Sequence, residues 1–181
     1  FWTADMHLNH DNILEYCNRP FKDALTALHQ MTVNFNQKMR EEDRAVHVGD
    51  FMSRGNVKGK PSLPFRFDQL RRLFNGQWSF LRGNHDENNG VKCLCTFLWT
   101  EIGPYKAFAG HYPMAHPIFP YSEKIEEYIH MTCDLVICGH VHNAWKTTFI
   151  NGVLHINVGV DVWDFFPVSD GELIQLAAKE L

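Results

Sequence analysis

Five apolar runs in this chain end in the same kind of residue: Asp5 and His7, then Asp50, the triplet Asn84, His85 and Asp86, then His111, and last His140 and His142. The set combines carboxylates, imidazoles and one amide, with no cysteine among them. Hard oxygen and borderline nitrogen donors suit divalent first-row cations, with manganese, iron, zinc, cobalt and nickel as candidates, better than a thiolate-rich structural zinc site. A lone histidine such as His111 is more often a satisfied or solvent-facing side chain than a ligand. Five polar clusters at five run ends are not explained that way. Asp5 with His7, and His140 with His142, stand at alternate positions, which places each pair on one side of an extended segment and lets one strand end supply two donors.

The elements that must position these groups can be read from apolar spacing. Strands are expected at Phe1–Ala4, Ala45–Val48, Trp78–Leu81, Tyr105–Ala109 and Asp134–Cys138, each running directly into one of the polar clusters. Open α/β sheets place their ligands at such carboxyl ends. Helical spacing covers Asn12–Tyr16 and Ala24–Met39, separated by Pro20, then Phe67–Phe74 and Ile125–Met131. Asn151 and Gly152 between two β-rich runs mark a hairpin. The run Cys93–Trp99 and the tail Gly171–Ala178 fit either helix or strand. The segment 51–67 is rich in Gly, Pro and Ser and carries Arg54, Lys58 and Lys60, as an exposed loop does. The whole, 1–181, reads as a single α/β domain with mixed sheets and no internal repeat.

A length of 181 residues is enough for one domain with a substantial core. The net charge of −4 argues against retention on nucleic acid by bulk electrostatics. Five cysteines, an odd number, do not form a disulfide framework, and reduced core thiols are expected, with Cys93 and Cys95 discounted as a zinc site. No apolar run reaches the length of a membrane span, so a cytoplasmic setting without membrane association is the expectation. The chain opens at Phe1 inside its first strand, which leaves room for upstream residues or a signal.

The ordered set DxH at Asp5–His7, GD at Gly49 and Asp50, GNHD at Gly83–Asp86, GH at Gly110 and His111, and GHVH at Gly139–His142 resembles the calcineurin-like metallophosphoesterase superfamily over nearly the whole chain. Two smaller stretches, Cys17–Phe21 and NVGVDVWDFFPVS near the end, resemble small bacterial and phage members. The resemblance implies a four-layer αββα sandwich, two mixed sheets flanked by helices. It also implies two divalent metal ions, one held by Asp5, His7, Asp50 and His142, the other by Asp50, Asn84, His111 and His140, with Asp50 bridging. Two cations a few Å apart need such a bridging anion, and water between them is acidified to hydroxide near neutral pH. By the same resemblance His85 protonates the leaving group. Asp86 either fixes the His85 tautomer through the second ring nitrogen or caps the following turn.

Substrate contacts are less determined. The stretch GDFMSRG resembles the GDxxDRG of serine/threonine phosphatases, but Ser53 replaces the aspartate, so Arg54 is a phosphate-binding candidate by its planar fork alone. His10, just past the first motif, could face the cleft, as could Asn12. His47 alternates with core valines and is expected to pack inside, while His116, His130 and His155 are read as structural or surface. The implied activity is hydrolysis of a phosphomonoester or phosphodiester on a phosphorylated small molecule or nucleotide. The alternatives are a scaffold module on the same fold, as in the superfamily's retromer subunit, or a nuclease acting on nucleic-acid ends, favoured by Arg54, Lys58 and Lys60 and disfavoured by the acidic balance. Specificity is expected in the loops 52–65 and 112–121.

Overall fold

A computed structural model describes residues 1–53, 65–117 and 121–181. The short strand β1 (Trp2–Thr3) pairs in parallel with β2 (Arg44–Val48), which pairs in parallel with β3 (Gln77–Leu81). Helices α1 (Asn12–Tyr16) and α2 (Ala24–Lys38) connect β1 to β2, and α3 (Phe67–Arg71) precedes β3. The second sheet has the order β4-β5-β6-β8-β7, built from Phe97–Ile102, Tyr105–Gly110, Leu135–Cys138, Val153–Asn157 and Thr147–Ile150 respectively. Its central pairs β5–β6 and β6–β8 are parallel and its outer hairpins β4–β5 and β7–β8 antiparallel, so this sheet is mixed as expected. The smaller sheet is parallel between its named strands because its connections are helical crossovers. A single antiparallel bridge from Trp2 to Val168 borders it.

Alternation along the strands assigns each face a core, and these cores define the four layers. Val48 and Leu81 of the first sheet face Ala107, Ala109, Leu135, Ile137, Leu154 and Ile156 of the second. The other face of the first sheet packs Ala45 and Phe80 against Leu28, Met31 and Phe35 of α2. Phe108, Val136 and Val153, on the far face of the second sheet, meet Ile129 of α5 (Glu123–Thr132). At 20–30 cal/mol per Å² of buried apolar surface, roughly 2 kcal/mol per side chain, these three clusters are the main stabilising term.

The ambiguous run is strand only from Phe97, where β4 begins, and the ambiguous tail is helix α6 (Asp170–Glu180). Ser169 caps α6 through a reciprocal capping box with Glu172, a local signal that decides for helix. Leu173 and Ala177 of α6 then join the core between the sheets. The hairpin turn has Asn151 at φ 52° and Gly152 at φ 80°, the two positive values that a type I′ turn requires. All five cysteines are free, with Cys17 and Cys138 buried. Among the described residues no helix is long and apolar enough to cross a membrane.

Candidate metal centre

The parallel strands deliver their carboxyl ends to one place, and the backbone there is unusual. Asp5, His7, Asp50, His140 and His142 all have positive φ, between 47° and 68°. Left-handed non-glycine residues cost of order 1–3 kcal/mol each and persist where surrounding structure over-determines them. Asp5 and His7 therefore reach the same cluster by left-handed turns beyond a strand of only two residues, rather than by strand alternation. Two glycines make the approach possible. A Cβ on Gly83 would overlap the Asp50 carboxylate, and one on Gly139 would lie 2.6 Å from Asp5 Oδ2.

One half of the site is assembled around His111. Its Nδ1 donates to the Val48 carbonyl at 2.9 Å, which leaves Nε2 as the ring atom turned to the site. That nitrogen faces Asn84 Oδ1 at 3.1 Å, Asp50 Oδ2 at 3.3 Å and His140 Nδ1 at 3.3 Å. Oxygen and nitrogen lone pairs converge there with only a proton or a cation to reconcile them. Burial pulls the His111 ring down, but its hydrogen bond to Asp50 and the charges of Asp50 and Asp5 push it up to about 9. A field that holds a proton so firmly would hold a divalent cation in its place.

The other half gathers Asp5, His7 and His142, whose donor atoms lie within 4.8 Å of one another. Asp5 Oδ1 and both ring nitrogens of His7 are buried without a hydrogen-bond partner. Buried polar atoms are normally satisfied, so unsatisfied donors aimed into one cluster fit a cation. Burial holds the His7 ring well below its ordinary value, which keeps it neutral. Burial also pushes Asp5 up to about 6, opposed by His111 and His142. Asp50 joins the halves: its Oδ2 is 3.6 Å from His7 Nε2 as well as 3.3 Å from His111 Nε2. Burial alone would raise its pKa, but His111 and His7, with the His85 amide on Oδ1 at 2.8 Å, hold it well below the carboxylate range.

His85 begins the short helix α4 (Asp86–Asn89), with its half-exposed ring 5.1 Å from that of His7 and its Nε2 4.0 Å from Asp50 Oδ2. His10 lies beside them, its ring centroid 5.5 Å from His7 and 6.2 Å from His85. Asp86 requires a correction. It does not reach the His85 ring; its buried carboxylate accepts from the backbone N–H groups of Gly83 at 2.7 Å, Asp50 at 2.8 Å and Phe51 at 3.0 Å. Three amides hold it, and it fastens the Asp50 turn to the Gly83 turn. Arg54, Lys58 and Lys60 lie outside the described residues.

His47 is buried as expected, enclosed by Phe51, Trp78 and Phe80. His155 is also interior, its Nε2 accepting from Met114 N at 3.2 Å. His116, read as structural or surface, meets His140 edge-on at 4.6 Å and lies tilted 5.6 Å from Tyr112, at the rim of the site. No spacing in the sequence marks it, because it is carried in by a loop turn at Ala115, φ 58°. Asp161 and Arg19 were missed as well. Asp161 Oδ2 lies 3.0 Å from His142 Nδ1, and burial notwithstanding, that contact pushes His142 up to about 10. An acidic residue between valines in 157–163 was the available signal.

Comparison with known proteins shows the family and the fold. The model of the calcineurin-like phosphoesterase superfamily domain matches residues 4–168. An uncharacterized protein of Methanocaldococcus jannaschii is 32% identical over 182 aligned residues, covering 99% of this chain and 91% of the relative. The crystal structure of a protein of unknown function from Aquifex aeolicus superimposes with a TM-score of 0.70 at 25% identity, covering 97% of each chain.

Proposed function

The chain belongs to the calcineurin-like phosphoesterase superfamily, and from that premise we propose that it is a metal-dependent hydrolase that cleaves a phosphomonoester or phosphodiester with water directly. The observation that carries this reading is the convergence on His111 Nε2 of Asn84 Oδ1, Asp50 Oδ2 and His140 Nδ1 at 3.1 to 3.3 Å, potential ligand atoms packed so closely that a proton or a cation must lie among them. Asp5, His7, Asp50 and His142 would hold one divalent cation and Asp50, Asn84, His111 and His140 a second. Manganese is the first choice, since the donors mix oxygen and imidazole without thiolate. Bound there, the two cations would polarise a phosphoryl oxygen and lower the pKa of water.

The chain's own residues do the rest. The Asp50 carboxylate is pinned by the His85 amide and shared by both halves. His85 projects from the start of α4 into the open side, free to give a proton to the departing oxygen. His10 stands next to it, in place to contact a phosphate oxygen. The substrate class is a phosphorylated small molecule or nucleotide. A scaffold role is disfavoured because all seven donor positions are filled by competent ligands.

The test is turnover of a chromogenic phosphodiester and phosphomonoester with manganese added, in the unaltered protein and in Asp50→Ala and His140→Ala. Activity should vanish in both variants. Manganese-dependent turnover retained in both would sink the proposal.

A further inference from the structure

The stretches Cys17–Phe21 and 157–169 lie outside the five strand-end motifs, yet they meet beneath the metal centre in one ion pair. Arg19 Nε donates to Asp161 Oδ1 at 2.7 Å and one terminal nitrogen to Oδ2 at 2.9 Å. The two side chains are 1% and 2% exposed. The same guanidinium donates to the carbonyl oxygens of Asp5 at 2.7 Å and Met6 at 2.9 Å. Its planar fork thus grips the backbone between two left-handed residues, Asp5 at φ 54° and His7 at φ 47°. From the other side Asp161 Oδ2 meets His142 Nδ1 at 3.0 Å.

We propose that Arg19 and Asp161 are positioning residues that set the cation affinity of the Asp5, His7 and His142 half of the site, and leave the His111 and His140 half alone. The inference rests on the metal reading above. A carboxylate that accepts from His142 Nδ1–H fixes the ring so that the Nε2 lone pair points at the cation position. Asp161 can do this only while it is itself held. Arg19 holds it bidentately and matches its charge, so the pair adds no net charge that would repel a cation. A lysine, with one ammonium head, cannot make all four contacts. Two further residues of the same stretch reinforce that half: Asn157 donates to the His142 carbonyl at 2.7 Å, and a Cβ on Gly159 would fall 2.9 Å from Asp5 Oδ2. The other half is oriented independently, His111 by the Val48 carbonyl.

The experiment compares the unaltered protein with Asp161→Asn and Arg19→Lys. Manganese binding is followed by calorimetry, and the His142 Nδ1–H resonance by NMR of zinc-loaded protein. Two sites are expected in the unaltered protein. In Asp161→Asn one should weaken by about 10- to 100-fold, the usual loss for such outer partners, while the other keeps its affinity and the downfield Nδ1–H signal disappears. Arg19→Lys should weaken the same site. Wild-type affinity at both sites in Asp161→Asn, with the resonance in place, overturns the proposal. If Asp161→Asn does not fold, Arg19→Lys decides by the same criterion. An unaltered protein that binds no divalent cation overturns the metal reading itself, a result distinct from a variant that binds two.

Discussion

The Asp86 carboxylate accepts a hydrogen bond from the backbone N–H of Asp50, 2.8 Å away and 36 residues earlier in the chain. The last residue of the GNHD motif therefore acts on the backbone of a metal-ligand candidate and not on its neighbour His85. Asp86→Ala would strand three buried N–H donors. A cost of about 2–4 kcal/mol is expected, lowering Tm by roughly 5–15 °C at this chain length. Thermal unfolding by circular dichroism checks it. An unchanged Tm with an altered pH–rate profile would restore the orienting role toward His85.

Replacement of His85 should separate chemistry from binding. Its ring is half-exposed and its nearest carboxylate oxygen, on Asp50, is 4.0 Å away. His85→Ala should keep cation affinity and lower kcat by about 10² to 10⁴ on alkyl phosphoesters, the usual contribution of a general acid. On aryl esters with good leaving groups, which need no proton, the loss should shrink. Equal losses across a leaving-group series would refute the acid role.

Gly139→Ala probes the close approach of the fifth and first polar clusters. The added methyl would sit 2.6 Å from both Asp5 Oδ2 and Ala4 Cβ. The neighbouring backbone must shift, at about 1–3 kcal/mol. Manganese should bind more weakly in calorimetry, because Asp5 Oδ2 also accepts from the His140 amide at 2.8 Å. Unaltered affinity would mean that Asp5 is not a ligand.

His155 supplies a pH dependence away from the cation positions. Burial, opposed by the Val153 carbonyl, pushes its pKa from 6.5 down to about 4. Above pH 6.5 both folded and unfolded chains hold it neutral. Between pH 6.5 and 4 the unfolded chain takes up a proton that the folded chain refuses, so stability falls as pH falls, by up to about 3 kcal/mol from this group. Urea midpoints measured from pH 7 to 4 should decline, and less steeply in His155→Gln. Parallel curves would exclude His155 as a contributor.

Most of the scaffold was legible because its signals are local. The strands Ala45–Val48, Trp78–Leu81, Tyr105–Ala109 and Asp134–Cys138 are dense in β-branched, aromatic or other apolar residues and stop at glycine or a polar cluster, and the Asn151 and Gly152 turn carries its own backbone requirement. Cys93–Trp99 stayed ambiguous because a half-buried edge strand such as β4 has no strict alternation, its faces being set by β5 beside it.

The seven candidate donors and their order along the chain were legible in the sequence, because the ordered motifs that carry them resemble those of the superfamily and each stands at the end of an apolar run. Only the tertiary structure decided which atoms meet. It directed Asp86 to the Asp50 backbone, brought Asp161 to His142 and Arg19 to Asp161 across 19 and 142 residues, and swung His116 to the rim. Hydrogen-bond partners are fixed by distances of about 3 Å between side chains far apart in sequence, and no spacing along the chain encodes them.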